Sequence, residues 1–420
     1  VVGYGHPEIT CTGTNIPVHQ MIPTASRFGF KIAGLVIKYS VAQPSTNTRS
    51  VGVEFHVTGN LADGLYDFAL DDLRFDNCYR GVAVSAPAIA GAYNFPTWAF
   101  TANRIRGFSN MSGSVLCLGN FGSTGGSPCA LITGFRSQCP NSVEPALRFS
   151  RLSQIVIIAP EILSHKNRAI QFSTCRNPLI QNIRLEFPVI DTLNSEIIVS
   201  DSSEGYVRVD GIEIQTPTIS VGGGNFGYVI SAFTARIIVS GLILKTPTVT
   251  SGTLVMLWPR SGGTFTVDGK PSFDTPGTSV MYRGSDAASI AFSDAQDDRF
   301  WTTAIGASVS YANIDCGSPT KSCVMGRSGV ILGQYVKTSA AVAAGTLKSR
   351  IQIRGTTLAA ATVTMTSGTT AAGYVTPGND PTDGSASYFS AGDSLTVQLE
   401  TDGSFSPTPN VDVTVMVAYF

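Results

Sequence analysis

The stretch GIEIQTPTI, residues 211–219, sets the reading of the whole chain. Ile212 and Ile214 alternate with Glu213 and Gln215, and a Thr-Pro turn follows. Alternation of this kind, closed by a turn, marks a short strand with one buried face. Charged residues make up only 14% of the 420, against roughly 25% in ordinary soluble domains. A glutamate on the outer face of such a strand therefore asks for an explanation.

The same figure recurs in both directions. Glu186 stands between Leu185 and Phe187, Glu161 between Pro160 and Ile162, and Thr133 between Ile132 and Gly134. Earlier still, Arg106 follows Ile105, Arg74 lies between Leu73 and Phe75, and Lys38 lies between Ile37 and Tyr39. Ahead, Ile243 sits between Leu242 and Leu244. Successive central positions are 36, 32, 27, 28, 25, 27 and 30 residues apart. Further short strands such as ALRFS, AIQFS, EIIVS and TLVML, and a second set including QIVII, YVRV and ARIIV, accompany them. A unit of two or three short strands repeating at this spacing, with almost no helical periodicity, reads as a parallel β-helix. Propeller blades need about 40–50 residues each, and a sandwich gives no sustained register.

The expected fold is all-β: a right-handed parallel β-helix followed by a small antiparallel, sandwich-like C-terminal domain. Residues 1–30 form a cap segment, 31–274 the β-helix, 275–327 a transition and capping region, and 328–420 the C-terminal domain. The last boundary follows a change of texture to Thr, Ala and Gly, with alternating strands TLKSRIQIRG, DSLTVQLETD and NVDVTVMVAYF.

Composition narrows the function classes. A net charge of −1 with no basic block argues against nucleic acid, whose phosphates need clustered Lys and Arg. No apolar run reaches about 18 residues, so no membrane-spanning helix is expected. The chain begins VVGYGHPEIT, without Met or signal peptide, as expected of a fragment of a longer polypeptide. None of the eight cysteines forms a C-x-x-C pair and only four histidines exist, so no metal site is expected. Buried free thiols are the general expectation, with Cys316 and Cys323, bracketing GSPTKS, the best disulfide candidate. No G-x-S-x-G elbow, P-loop or G-x-G-x-x-G occurs, so no cofactor is implied; GGGNFG at 222–227 lies between strands with no helix after it.

The outer face carries the candidate chemistry. If the strands align on their central residues, Glu161, Glu186 and Glu213 stack in one ladder. Strands lie about 4.8 Å apart, so adjacent carboxylates would be about 5 Å apart and next-but-one nearly 10 Å. Glycosidases use carboxylate pairs about 5–5.5 Å apart for retention and about 6.5–9.5 Å for inversion. Stacked like charges also repel, so one carboxyl is expected to keep its proton, as a general acid requires. Lys38, Arg74 and Arg106 make a basic half beneath this acidic half, suited to a long, partly anionic ligand. Asp71, Asp72 and Asp210 are further acids near these strands. His165 is expected on a turn just past Glu161, as a proton-transfer group or an exposed loop residue. Tyr206 and Tyr228 begin strands and are candidates to stack on sugar rings or to pack at the rim or core.

With a β-helix of irregular rungs, a transition region and a Thr/Ala/Gly-rich β domain ending in VTVMVAYF, the chain resembles the receptor-binding portion of a bacteriophage tailspike. That resemblance implies a homotrimer on the virion tail, outside the host cell after folding in its cytoplasm, attached through an N-terminal part not in this sequence. It implies a bacterial surface polysaccharide, O-antigen or capsule, as the ligand, bound and usually cleaved. Secreted pectin-degrading β-helices are cousins: of their NTD, DD, GHG and RIK motifs, only Asp71-Asp72 and the loosely similar Arg104-Ile105-Arg106 occur here. Four functions follow. The first is an endo-glycosidase using Glu186 with Glu161 or Glu213, with Arg74, Arg106, His165, Asp210 and Tyr206 holding substrate. The second is a lyase in which Arg106 neutralises a uronate and His165 or a tyrosine takes the proton. The others are a non-catalytic adhesin and a structural virion fibre.

Overall fold

A computed structural model describes residues 6–22, 27–56, 65–85, 97–108, 110–119, 127–192, 196–200, 205–223, 225–260, 262–269, 272–273, 279–282, 290–292, 295–302, 304–316, 322–327, 329–358, 362–375 and 388–419. The described residues are strands, turns and irregular segments, with no helix. The chain divides into two compact units, one of residues 1–267 and 271–281, the other of 268–270 and 282–420.

The first unit is a parallel β-solenoid. A long sheet contains Lys31–Tyr39, Ala69–Asp76, Leu179–Glu186, Tyr206–Gln215 and Arg236–Lys245. Between the second and third of these, each coil supplies two strands: Phe100–Asn103 with Arg106–Gly107, Ser127–Thr133 with Arg136–Gln138, and Leu152–Ile158 with Glu161–Leu163. A second parallel sheet stacks Val51–His56, Arg80–Ser85, Leu116–Gly119, Leu147–Ser150 and Ile170–Ser173 on successive coils.

The interior is filled by columns of like residues. Leu70, Ala102, Ile132, Ile157, Ile180, Val209 and Val239 form one, and Leu73, Ile105, Phe135, Ile183, Ile212 and Leu242 another; all are at most 1% exposed. Phe149 stacks on Phe172, 6.0 Å between ring centroids, in the same way. Each coil alone has no core, so stacking neighbours supply the burial.

A bend divides the long sheet into an upstream and a downstream leg. One residue per coil makes it, in the left-handed region: Gly34, Asp72, Arg104, Gly134, Ala159, Asn182, Gly211 and Gly241, with φ between 48° and 74°. The strand registers place these eight residues above one another. The conformation costs an L-residue with a Cβ about 1–2 kcal/mol, which is why Gly, Asn and Asp occupy six of the eight places. A second left-handed corner follows the downstream leg, at Ser164, Phe187, Thr216 and Thr246.

The second unit is a pair of antiparallel sheets. One orders Asp315–Cys316, Ala295–Thr302, Val411–Tyr419, Gly329–Thr338 and Ala371–Val375; the other orders Ala312–Asn313, Ser394–Thr401, Leu347–Ile353 and Thr356–Thr357. Val411, Val413, Val415 and Val417 alternate into a core with Phe300, Ile351 and Val397. Residues 295–302, assigned on sequence to the transition region, pair along their length with the final strand. Cys323 is disulfide-bonded; the side chain of Cys316 lies outside the described residues. Cys78, Cys117, Cys139 and Cys175 are buried free thiols.

The corner residues give a test of the stacking. At Gly211 (φ +74°) an added Cβ would meet the Asn182 Oδ1 at 2.9 Å. Gly211→Ala is expected to cost about 1–2 kcal/mol in urea unfolding, while Asn182→Gly is expected to be neutral or stabilising.

Candidate functional site

The downstream leg of the long sheet turns every second residue outward. The register aligns Arg74, Arg106, Arg136, Glu161, Arg184, Glu213 and Ile243 in one outward column over seven consecutive coils. Two residues further along, Gln138, Leu163, Glu186, Gln215 and Lys245 form the neighbouring column.

The three-glutamate ladder is therefore corrected. Glu161 faces Arg184, and Arg184 faces Glu213. Glu186 stands one column over, opposite Leu163 and Gln215. Lys38 and Thr133 leave the first column too: Val36 faces Arg74, and Arg136 takes the place assigned to Thr133. The glutamates form a zigzag instead. From strand spacing and rise per residue, neighbouring members are about 8 Å apart at Cα, and Glu161 and Glu213 about 10 Å.

Interleaved cations remove the repulsion expected to keep one carboxyl protonated. Glu161 Oε2 lies 3.2 Å from Arg136 Nε, and Glu186 pairs with Arg184. Glu213 accepts hydrogen bonds from Lys245 Nζ and, at 2.7 Å, from Gln215 Nε2. The Lys245 hydrogen bond, helped by that of Gln215, holds the Glu213 carboxyl below its ordinary range. All three side chains reach the surface, at 30%, 14% and 31% exposure in sequence order, so Glu186 is the most enclosed.

The other candidates divide. Arg74 and Arg106 are exposed on the first column, Arg74 lying over the Phe108 ring at 4.0 Å from its centroid. Asp210 is outward on the upstream leg, bound at 2.8 Å through both oxygens by Arg208 Nε and at 2.9 Å by Ser240 Oγ. Tyr206 begins that leg, 49% exposed. Tyr228 is fully buried, stacked 3.7 Å from Trp258.

His165 is not on the surface. It follows the left-handed Ser164 and points inward, as Pro188 and Pro217 do after Phe187 and Thr216. It is 1% exposed, and its Nε2–H donates to the Glu144 carbonyl at 3.1 Å. Burial pushes its pKa down to about 4, so it is neutral and out of reach of any ligand on this face.

Two residues gain importance from the structure. Arg136 completes a run of three arginines. Phe187, 52% exposed, holds φ at +52° beside Glu186, a costly conformation for a bulky residue and one that clusters at functional sites. The acids of the Asp-Asp pair also meet the Arg-Ile-Arg segment: Arg104 lies 3.2 Å from Asp71 and 3.9 Å from Asp72. Asp71 also takes hydrogen bonds from Lys31 at 2.8 Å and Asn103 at 2.9 Å, and its carboxyl is held below the usual range, foremost by Lys31. Among the described residues no group of His, Cys, Asp and Glu forms a metal-binding cluster, and no helix is long and apolar enough to cross a membrane.

No family model matches the chain, and no curated protein matches it. Among solved structures it is similar to the enzymatically active domain of tailspike protein 4 from bacteriophage CBA120, with 10% identity and a TM-score of 0.21. The similarity covers 87% of this chain and 64% of that one, so this chain spans less than two thirds of that neighbour's length. A likeness of this degree carries no functional argument.

The buried imidazole gives a pH prediction. Unfolded, His165 protonates near pH 6.5; folded, only near 4. The unfolded state therefore binds more protons between these values, and stability falls as pH drops from 6.5 towards 4. The full loss is on the order of 3 kcal/mol. His165→Gln is expected to remove that component when urea unfolding is compared at pH 7 and pH 4.5.

Proposed function

We propose that the chain is the polysaccharide-binding and depolymerising part of a bacteriophage tailspike. It lays a bacterial surface polysaccharide, O-antigen or capsule, along the outer face of the long sheet and hydrolyses internal glycosidic bonds. The observation that carries this reading is the zigzag of Glu161, Glu186 and Glu213 on one outward face, with Phe187 turned to solvent beside it. With Cα atoms about 8 Å apart, neighbouring glutamate side chains can bring their carboxyl groups to the inverting separation of about 6.5–9.5 Å, where a water fits between base and sugar.

The surroundings suggest the division of labour. Glu213, kept ionised by Lys245, is the base that activates water. Glu186, the most enclosed of the three, pairs with Arg184 in the free protein; it protonates the leaving oxygen after a bound sugar displaces that guanidinium. Phe187 offers an apolar ring for a sugar face. Assembly as a homotrimer on the virion tail, outside the cell, belongs to the same proposal and rests on the order of a solenoid followed by an antiparallel unit.

The exposed Arg106 favours a second reading, elimination at a uronate. That route has lost the buried His165 as its base, and Tyr206 stands four coils from Arg106.

Purified O-antigens and capsular polysaccharides from a bacterial panel test the proposal. The expected products are shortened chains with new reducing ends, inverted at the anomeric carbon by NMR, and without the ultraviolet absorbance of an unsaturated uronate. Glu186→Gln is expected to lower kcat by about 10²–10⁴-fold, and Phe187→Ala to weaken binding roughly three- to tenfold. Unsaturated products would replace hydrolysis with elimination; binding without shortening would make the protein an adhesin.

A further inference from the structure

Arg74, Arg106 and Arg136 are in-register partners on three consecutive coils of the long sheet. Parallel strands place their Cα atoms about 4.8 Å apart, and all three side chains are exposed. Like charges directly opposite one another on neighbouring strands are destabilising. The chain as a whole has no excess of cations, with a net charge of −1. The next coils up the same column show the ordinary solution, Glu161, Arg184 and Glu213 alternating in sign. Below Glu161 the alternation stops.

Only one end of this run is neutralised. Arg136 has Glu161 at 3.2 Å. Arg74 rests its guanidinium on the Phe108 ring, 4.0 Å from the centroid, which fixes it without cancelling its charge. Arg106, between them, makes no ion pair among the described residues. Of the nearby acids, Asp71 is engaged by Lys31 and Arg104, and Glu8 by Lys38; Asp76, two residues beyond Arg74, accepts a hydrogen bond from the Asn77 backbone N–H and forms no ion pair with these arginines among the described residues.

We infer that Arg74, Arg106 and Arg136 form a subsite for the acidic group of a charged sugar, so that the glycan on this face is an anionic polysaccharide. A guanidinium presents a planar fork of donors that matches the oxygens of a carboxylate or phosphate. Two stacked forks receive one oxyanion from both sides, and a polymer with an acidic group in each repeat meets the run in more than one register. The subsite lies in the same column as Glu161 and Glu213. A chain running along the solenoid would pass from the arginines to the glutamates, which places the acidic sugar to one side of the bond cut. This inference rests on the proposed function and narrows its substrate class.

The test uses the full chain and a panel of purified neutral and acidic capsular and O-antigen polysaccharides. Each acidic glycan that binds is compared with two treated forms, one with its carboxyls reduced to alcohols through carbodiimide activation and one dephosphorylated. Binding to acidic members is expected to weaken at least tenfold on removal of the relevant acid, as charge-assisted hydrogen bonds predict. Loss on carboxyl reduction identifies a sugar carboxylate; loss only on dephosphorylation identifies a phosphate. Arg106→Gln is expected to weaken binding tenfold or more and to lower its salt dependence. Arg106→Lys, which keeps the charge but not the fork, should recover only part. Arg106→Gln should melt no lower than the parent, because it removes repulsion; this separates loss of a subsite from loss of fold. Binding or cleavage of neutral glycans alone, or unchanged affinity in Arg106→Gln, would overturn the inference and leave the proposed function standing. Neither binding nor cleavage of any glycan would overturn both.

Discussion

One left-handed residue per coil governs this structure. It bends the long sheet, interrupting the strand on three coils while the register holds on both sides, and it recurs at the same height on eight coils from Gly34 to Gly241. The residue after it points inward and the one after that points outward. The corner therefore fixes which side chains form the core and which share a column on the surface. Leu73, Ile105, Phe135, Ile183, Ile212 and Leu242 owe their places in the interior to it. Arg74, Arg106, Arg136, Glu161, Arg184 and Glu213 owe their alignment to it. The second corner acts in the same way on Phe187, held out to solvent, and on His165, one position further along its own coil and so turned in.

This explains what the sequence disclosed and what it hid. Alternation has a period of two, so the inward and outward assignments of Glu161, Glu186 and Glu213 were readable, as was the solenoid itself. A slip of two residues between coils keeps every apolar side chain inside. Nothing in the alternation of RLEFP therefore distinguishes Arg184 from Glu186 as the residue above Glu161. The corner does distinguish them. Asn182 and Gly211 each stand two residues before a member of the first column, as do Gly34, Asp72 and Gly134. Aligning these permissive residues, rather than the charges, would have found Arg136 and Arg184. Ala159 and Arg104 occupy the same corner without its usual chemistry, and there the sequence gives no sign. The same alignment sets His165 level with Pro188 and Pro217, which marks it as interior.

The corrected register changes the electrostatic character of the face. Three stacked carboxylates would repel and raise a pKa. The zigzag instead gives each glutamate a cation, and the pair with Lys245 lowers Glu213. Exposed pairs like these add little stability, on the order of 0–1 kcal/mol each, so their value lies in fixing side-chain positions. The unmatched stretch lies lower, at Arg74 and Arg106, where the fold tolerates repulsion. An extended face with fixed carboxylates at one end, unpaired guanidiniums at the other and an exposed aromatic ring beside the acids suits a long, hydrated, charged polymer better than a compact ligand.

The most direct measurement is a structure of the Glu186→Gln protein with a bound oligosaccharide of its cleavable glycan. The account predicts sugar rings running along the downstream leg, one against Phe187, an acidic substituent on the Arg74–Arg106–Arg136 column, and the scissile linkage between Glu213 and position 186. An oligosaccharide seated on the second sheet or in the C-terminal unit, with this face bare, would contradict it.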